Sequence, residues 1–205
     1  MSDSYQDAKE CWLTRWRNKP EYAARLDFAP QIDFIKAAIV ATSPYIEGVK
    51  SFCELGVGTG NSIRYFHEKY PEWEYRGIDI NPDVHKLILA TYPGVLDYAD
   101  IKSIDTLTYL QECDSVDLFY SKDHLMHIPD PVIAEVCALI ASKAGKYILI
   151  REAYEGHRQG GNRYERDYTD AFPGFVVIHK ELQSSFSAEC LLALYLFRKE
   201  AGASI

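Results

Sequence analysis

The segment Glu54-Leu55-Gly56-Val57-Gly58-Thr59-Gly60 sets three glycines at alternate positions behind an acidic residue. In a turn joining a strand to a helix, such glycines let a ligand approach backbone N–H groups closely. The spacing Gly56-x-Gly58-x-Gly60 differs from the G-x-G-x-x-G turn that holds a pyrophosphate. Glu54 at its start suits a cationic ligand better than an anionic one. Downstream, Asp79 is expected at the end of a second strand, where a carboxylate can accept hydrogen bonds from both hydroxyls of a ribose. Asp79, Asn81 and Asp83 also lie beside Pro82, so capping of the next helix is an alternative use of these side chains. Asp100, with Ile101 behind it, is expected to close a third strand and to offer an acceptor for an adenine amino group.

Two further stretches carry titratable groups. His124 and His127 follow an apolar run at Val116-Asp117-Leu118-Phe119-Tyr120, and a histidine there can act as a base because it titrates near neutrality. Capping the turn or packing under the loop is the alternative for His127, with Leu125 and Ile128 around it. Ser121 and Lys122 are expected to line a cofactor through their backbone. The segment from Arg151 to Tyr168 is long, polar and rich in Arg, His and Tyr. Within it Tyr154, Arg158, Arg163 and Arg166 are candidates to bind an acceptor, since guanidinium groups grip carboxylates and phosphates by forked hydrogen bonds. His157 is a second candidate base. The arginines could instead pair with Glu155, Glu165 and Asp167. Asn162 and Asp123 are too few to suggest a metal, and none is expected.

These groups need a scaffold, and the pattern supplies one. Ser51–Leu55, Tyr75–Ile80, Asp97–Asp100, Val116–Tyr120 and Lys146–Ile150 read as strands. Ile32–Val40, the stretch after the glycine turn, Asp83–Leu89 and Val132–Ala141 read as helices between them. Alternation of this kind makes right-handed crossovers and a parallel sheet. The runs Phe175–His179 and Leu191–Phe197 follow one another with only a loop between them, which predicts a closing antiparallel pair at the sheet edge. Residues 1–27 carry Tyr5, Trp12, Trp16 and Tyr22, with Trp12 and Trp16 on one helical face. They predict a helical extension that docks on the body or serves as a lid.

The chain has 205 residues, room for one sizeable core, and shows no repeat or linker, so a single domain over 1–205 is expected. A net charge of -8 argues against attachment to nucleic acid through the whole-body field. Five scattered cysteines, the lack of a long apolar run and the lack of a signal-like N-terminus lead to an expectation of reduced thiols and a cytoplasmic location.

Glu54–Asn61, Gly77–Pro82 and Ala99–Ile101 together resemble, in order and interval, the first three cofactor motifs of class I S-adenosylmethionine-dependent methyltransferases. Asp117–Asp130 is similar to the fourth-strand motif of the same class. The resemblance, over roughly residues 50–150, implies a Rossmann-like α/β fold. Its sheet would have seven strands, mostly parallel with an antiparallel last strand, and helices on both faces. It further implies S-adenosylmethionine as cofactor, held through Glu54, Gly56, Gly58, Gly60, Asn61, Asp79, Ile80, Asp100, Ile101 and Ser121. More narrowly, Leu125-x-His127-Ile128, Tyr147–Ile150, Gly156-His157 and Arg166-Asp167 resemble methylases associated with pseudaminic acid biosynthesis. An Asn/Asp-Pro-Pro-Tyr/Phe tetrapeptide and a Pro-Cys nucleophile are both missing, which turns expectation away from nucleic acid bases. The acceptor expected is O or N of a small polar metabolite, anionic ones included, such as a sugar derivative. Rival readings are methylation of a protein or nucleic acid with a partner's help, and a non-catalytic cofactor-binding module.

Overall fold

The computed structural model describes residues 3–18, 29–155, 164–184 and 191–202. A helix, α1 (Asp3–Asn18), is followed by α2 (Ala29–Thr42) and then by strands alternating with helices: β1 (Ser51–Leu55), α3 (Asn61–Lys69), β2 (Glu74–Asp79), α4 (Val84–Thr91) and β3 (Ala99–Ser103). Next come α5 (Thr106–Glu112), β4 (Val116–Lys122), α6 (Asp130–Lys143), β5 (Ala144–Glu155), β6 (Phe175–Ser184) and β7 (Leu191–Lys199). The strands form one sheet in the order β3-β2-β1-β4-β5-β7-β6. The pairs from β3 to β5 are parallel, and β7 runs antiparallel to both β5 and β6. The expected seven-stranded sheet with a reversed last strand is therefore present, and its reversed strand sits inside the edge rather than on it.

Two apolar layers sandwich this sheet. Ile35, Ile39, Ile63, Phe66, Val84 and Ile88 bring α2, α3 and α4 onto one face, against Phe52, Leu118, Tyr120 and Leu149. Leu107, Leu110, Val132, Val136 and Ile140 bring α5 and α6 onto the other, against Leu55, Phe119, Ile148 and Tyr195. Neighbouring strand residues alternate between the layers, as a period of two requires. Both faces being covered, the central strands read as nearly continuous apolar runs. That continuity ends at the carboxyl ends of the strands, where Glu54, Asp79, Ser121, Arg151 and Glu152 are all buried.

The first helix joins the α5/α6 face at this same polar end. Tyr5 and Ala8 are buried, the Tyr5 hydroxyl donates to Asp105 Oδ1 at 3.0 Å, and Lys9 reaches Asp105 Oδ2 at 3.0 Å. An N-terminal helix was expected from the sequence and is found; residues 19–28 lie outside the described part. Cys11, Cys53, Cys113 and Cys137 are free thiols, and Cys190 lies outside the described residues. Among the described residues no helix is long and apolar enough to cross a membrane, and no cluster of His, Cys, Asp and Glu could hold a metal ion.

Candidate active site

The glycine turn leaves β1 between β2 and β4. Gly56, Gly58 and Gly60 have φ of 79°, 52° and 81°, a left-handed backbone that suits glycine at all three positions. The amides of Gly56 and Val57 both donate to the carbonyl of Ile78 at 2.8 Å, tying the turn to β2. Asp79, the last residue of β2, accepts from the amide of Gly58 and the amide of Asn81, each at 2.9 Å and each on a different carboxylate oxygen. A carboxylate has about four acceptor directions, so each oxygen keeps capacity for a ribose hydroxyl. Burial holds the carboxyl above its ordinary value, and the two amides offset only part of this. Asn81 accepts from the amide of Asp83 at 3.0 Å, but Asp83, which precedes α4, makes no side-chain capping bond. Ile80 lies directly beyond β2, partly exposed.

Glu54 and Asn61 flank the turn, 2% and 5% exposed. Glu54 engages the Ser62 hydroxyl and the Ile63 amide in the first turn of α3, while its Oε2 has no partner. Neither polar atom of the Asn61 amide has one either. A buried polar atom left unpaired costs about 1–3 kcal/mol, so these atoms point to a ligand with its own donors and acceptors. Burial, only partly offset by Ser62 and Lys122, pushes the Glu54 carboxyl up to about 8. A cation placed beside it would favour the ionised form. The ammonium, carboxylate and ribose groups of S-adenosylmethionine fit this set of orphan atoms, glycine amides and buried carboxylate.

The third strand departs from expectation. It spans Ala99–Ser103 rather than Asp97–Asp100, and Asp100 pairs in register with Arg76, at the far end from Asp79. At about 3.3 Å per residue this puts Asp100 roughly 10 Å from the ligand edge, on an exposed position. Ile101 is buried in the α2/α3/α4 layer, its Cδ1 against Gly77. Neither residue is placed to meet an adenine. The carboxylate beyond this edge is Asp105, the N-cap of α5, whose oxygens are taken by Thr108, Tyr5 and Lys9. The cap signature at Asp105 ahead of Leu107 and Leu110 is present in the sequence.

After β4 the chain makes a short turn containing both candidate histidines. His124 lies over the glycine turn, so close that a Cβ at Gly56 would stand 2.6 Å from its Nδ1. Its Nε2 shares a hydrogen bond of 2.7 Å with Thr106 Oγ1. Burial, reinforced by His127, lowers its pKa to about 3, so the ring is neutral and a poor proton acceptor. His127 meets the edge of the Trp12 ring, centroids 4.4 Å apart, which brings α1 against the turn. Ser121 presents its hydroxyl to Glu152 at 2.7 Å. Glu152 and Arg151, both fully buried, support this turn; their placement after the apolar run Tyr147–Ile150 was their only signal in the sequence.

The segment after β5 is only partly described. His157, Arg158 and Arg163 lie outside the described residues. Arg166 is engaged by the protein itself. Its Nε and one terminal nitrogen donate to Asp130 Oδ1 at 3.0 and 2.7 Å, and its terminal nitrogens also reach the carbonyls of Leu125 and Ile128. An anionic acceptor would have to displace Asp130 to use it. Tyr154, half-buried, packs on the α5/α6 layer with Lys180 over its ring.

Residues 52–143 match a family described as a methyltransferase domain. Among solved structures, magnesium protoporphyrin IX methyltransferase from Synechocystis PCC 6803 shares the fold. With S-adenosylhomocysteine bound it gives a TM-score of 0.71 at 14% identity, over 94% of this chain and 100% of that one. With S-adenosylmethionine bound it gives 0.70 at 16%, over 98% and 99%. A [4+2]-cyclase, SpnF, gives 0.66 at 13%, over 83% and 81%. No curated protein is similar enough in sequence to count as a relative. The class I methyltransferase architecture is thus the fold of this chain, and the cofactor expected from its motifs is the one bound in the Synechocystis enzyme.

Proposed function

We propose that the protein transfers a methyl group from S-adenosylmethionine to O or N of a small polar metabolite, anionic ones included, such as a sugar derivative. The observation that carries the reading is the glycine turn flanked by Asp79 and by the unpaired buried atoms of Glu54 and Asn61. Bound there, the cofactor would supply an activated methyl group on sulfonium. The chain's own contribution is to hold the acceptor in line, exclude water and take up a proton. Asp79 would hold the ribose, and the amides of the turn the methionine end. His124, neutral and tied to Thr106, serves as a wall of the cleft. His127 and His157 are the proposed proton acceptors.

The helix α1 would roof the acceptor cleft, since its Trp12 and Lys9 touch groups on the ligand-facing edge. Tyr154, Arg158 and Arg163 remain the proposed acceptor contacts. The resemblance to pseudaminic acid-associated methylases supports a sugar-like acceptor on residues alone. The fold by itself does not dictate methyl transfer, because the [4+2]-cyclase shares it; a non-catalytic cofactor-binding module is accordingly the second reading.

Calorimetric titration should give binding of S-adenosylmethionine and S-adenosylhomocysteine at a single site. Incubation with methyl-labelled cofactor and fractionated metabolites should then label a low-molecular-mass fraction. Absence of binding sinks the methyltransferase reading; binding with no label in any fraction favours the non-catalytic module.

A further inference from the structure

Glu152, near the end of β5, is 1% exposed and has a carboxylate surrounded by donors. Its Oε1 accepts from the Ser121 hydroxyl at 2.7 Å and from the amides of His124 and Leu125 at 3.2 and 3.0 Å. Its Oε2 accepts from the amide of Met126 at 3.0 Å. Three successive backbone amides converging on one anion form a nest of the kind that binds phosphate elsewhere. Here the anion is supplied by the chain.

Arg151 holds the same turn from the opposite face of the sheet. It is 1% exposed, donates from one terminal nitrogen to both oxygens of Asp123 at 3.0 and 3.1 Å, and offers its carbonyl to the Asp123 amide at 2.9 Å. Among the described residues Asp123 is the only one other than glycine with a positive φ, 53°. Such a backbone is uncommon outside glycine and persists where its surroundings enforce it. Two adjacent residues of β5 therefore fix one short turn, and that turn carries His124 over Gly56 and His127 against Trp12.

We propose that Glu152 is a positioning residue whose negative charge sets the turn 123–128 in the conformation that lines the cofactor cleft and seats α1. Its link to catalysis rests on the methyltransferase reading, but its hold on the turn does not. An ionised carboxylate only accepts, which matches four donors; a protonated one turns a hydrogen toward them. The titratable groups around it are Asp123 and the two histidines on the turn, Cys137 on α6, and Tyr168 with Arg166 beyond β5. Burial, partly offset by Ser121 and opposed to ionisation also by Asp123, pushes the carboxyl up to about 7. Both forms are then populated near neutrality.

The test is amide exchange followed residue by residue on the full chain at pH 6 and pH 8, corrected for the intrinsic pH dependence of exchange. The amides of Leu125 and Met126 donate to Glu152, so their protection reports its grip. Protection there should rise about tenfold from pH 6 to pH 8, following the ionised fraction, while that of β1 and β4 holds steady. In Glu152→Gln it should be low at both pH values, and S-adenosylhomocysteine affinity should lose its pH dependence across this range. Ser121→Ala, which leaves the three amide bonds but removes the hydroxyl that offsets burial, should show the same rise displaced to higher pH. Low amide protection at both pH values in the wild type overturns the proposal, as does wild-type protection in Glu152→Gln. High protection at both in the wild type with low protection in Glu152→Gln supports it, the carboxylate then being ionised throughout. Should Glu152→Gln fail to fold, the wild-type and Ser121→Ala profiles decide. Loss of S-adenosylhomocysteine binding from the wild type itself would instead remove the methyltransferase reading and leave the exchange result standing.

Discussion

Gly56 has no room for a side chain: its φ is 79°, and an added Cβ would stand 2.6–2.9 Å from three atoms of the His124 side chain. Gly56→Ala should therefore push the histidine off Thr106 as well as strain the turn, with cofactor affinity falling at least tenfold in a calorimetric titration. A variant binding as tightly as the wild type would show that the ring is free to move. Asp79→Ala removes the acceptors proposed for two ribose hydroxyls and frees the amides of Gly58 and Asn81. Hydrogen bonds to charged groups contribute about 1.5–3 kcal/mol each, so affinity should fall by about two orders of magnitude or more. Unchanged affinity would displace the ribose from Asp79. The glycine spacing, Glu54 and Asp79 were legible in the sequence because each is imposed by backbone geometry or ligand chemistry close by. Asp100 was misread because a lone acidic residue near a strand does not reveal which end of the strand it occupies.

At the scale of elements, α1 is held by contacts that are individually modest. The Lys9–Asp105 pair is partly exposed, and pairs of that kind contribute about 0.2–1 kcal/mol. Asp105 does more, since it also caps α5 through the Thr108 amide. Asp105→Ala should cost about 1–2 kcal/mol of stability, read by chemical denaturation, and Lys9→Ala distinctly less. Equal losses would mean that the cap is negligible. If α1 roofs the cleft, Trp12→Ala should speed both association and release of S-adenosylhomocysteine in stopped flow while changing affinity little. Unaltered rates would make α1 a fixed part of the wall. The aromatic spacing of α1 announced a helix with one apolar face, but its docking partner was not legible. That partner, Asp105, lies about a hundred residues away and is chosen by tertiary packing. The short α5 went unseen for a related reason, being only two turns long with a mixed surface.

For the molecule as a whole, the carboxyl ends of the strands concentrate buried acids, and this ties stability to pH. Burial places the folded-state pKa of Glu54 at about 8, well above its value in an unfolded chain. The protonated form therefore favours the fold: its contribution is complete below about pH 4.5 and is lost as pH rises through 8. Glu54→Gln, which imitates the protonated group, should melt several degrees above the wild type at pH 9 and show little advantage at pH 5. About 1 kcal/mol moves Tm by roughly 2–4 °C in a chain of this size. An equal difference at both pH values would mean that Glu54 is ionised throughout. The sheet order has a consequence of another kind. β7 lies between β5 and β6, so β6 has no neighbour to bond until a strand made later by the ribosome has emerged. Strands β1 to β5 can assemble in the order of synthesis, each beside one already present. The segment joining β5 to β6, with its proposed acceptor contacts, must wait for Leu191–Lys199 to thread between them. Until then the edge of β5 is exposed, with Tyr147–Ile150 forming an open apolar rim, which makes this half of the sheet the place where a nascent chain would most need a chaperone.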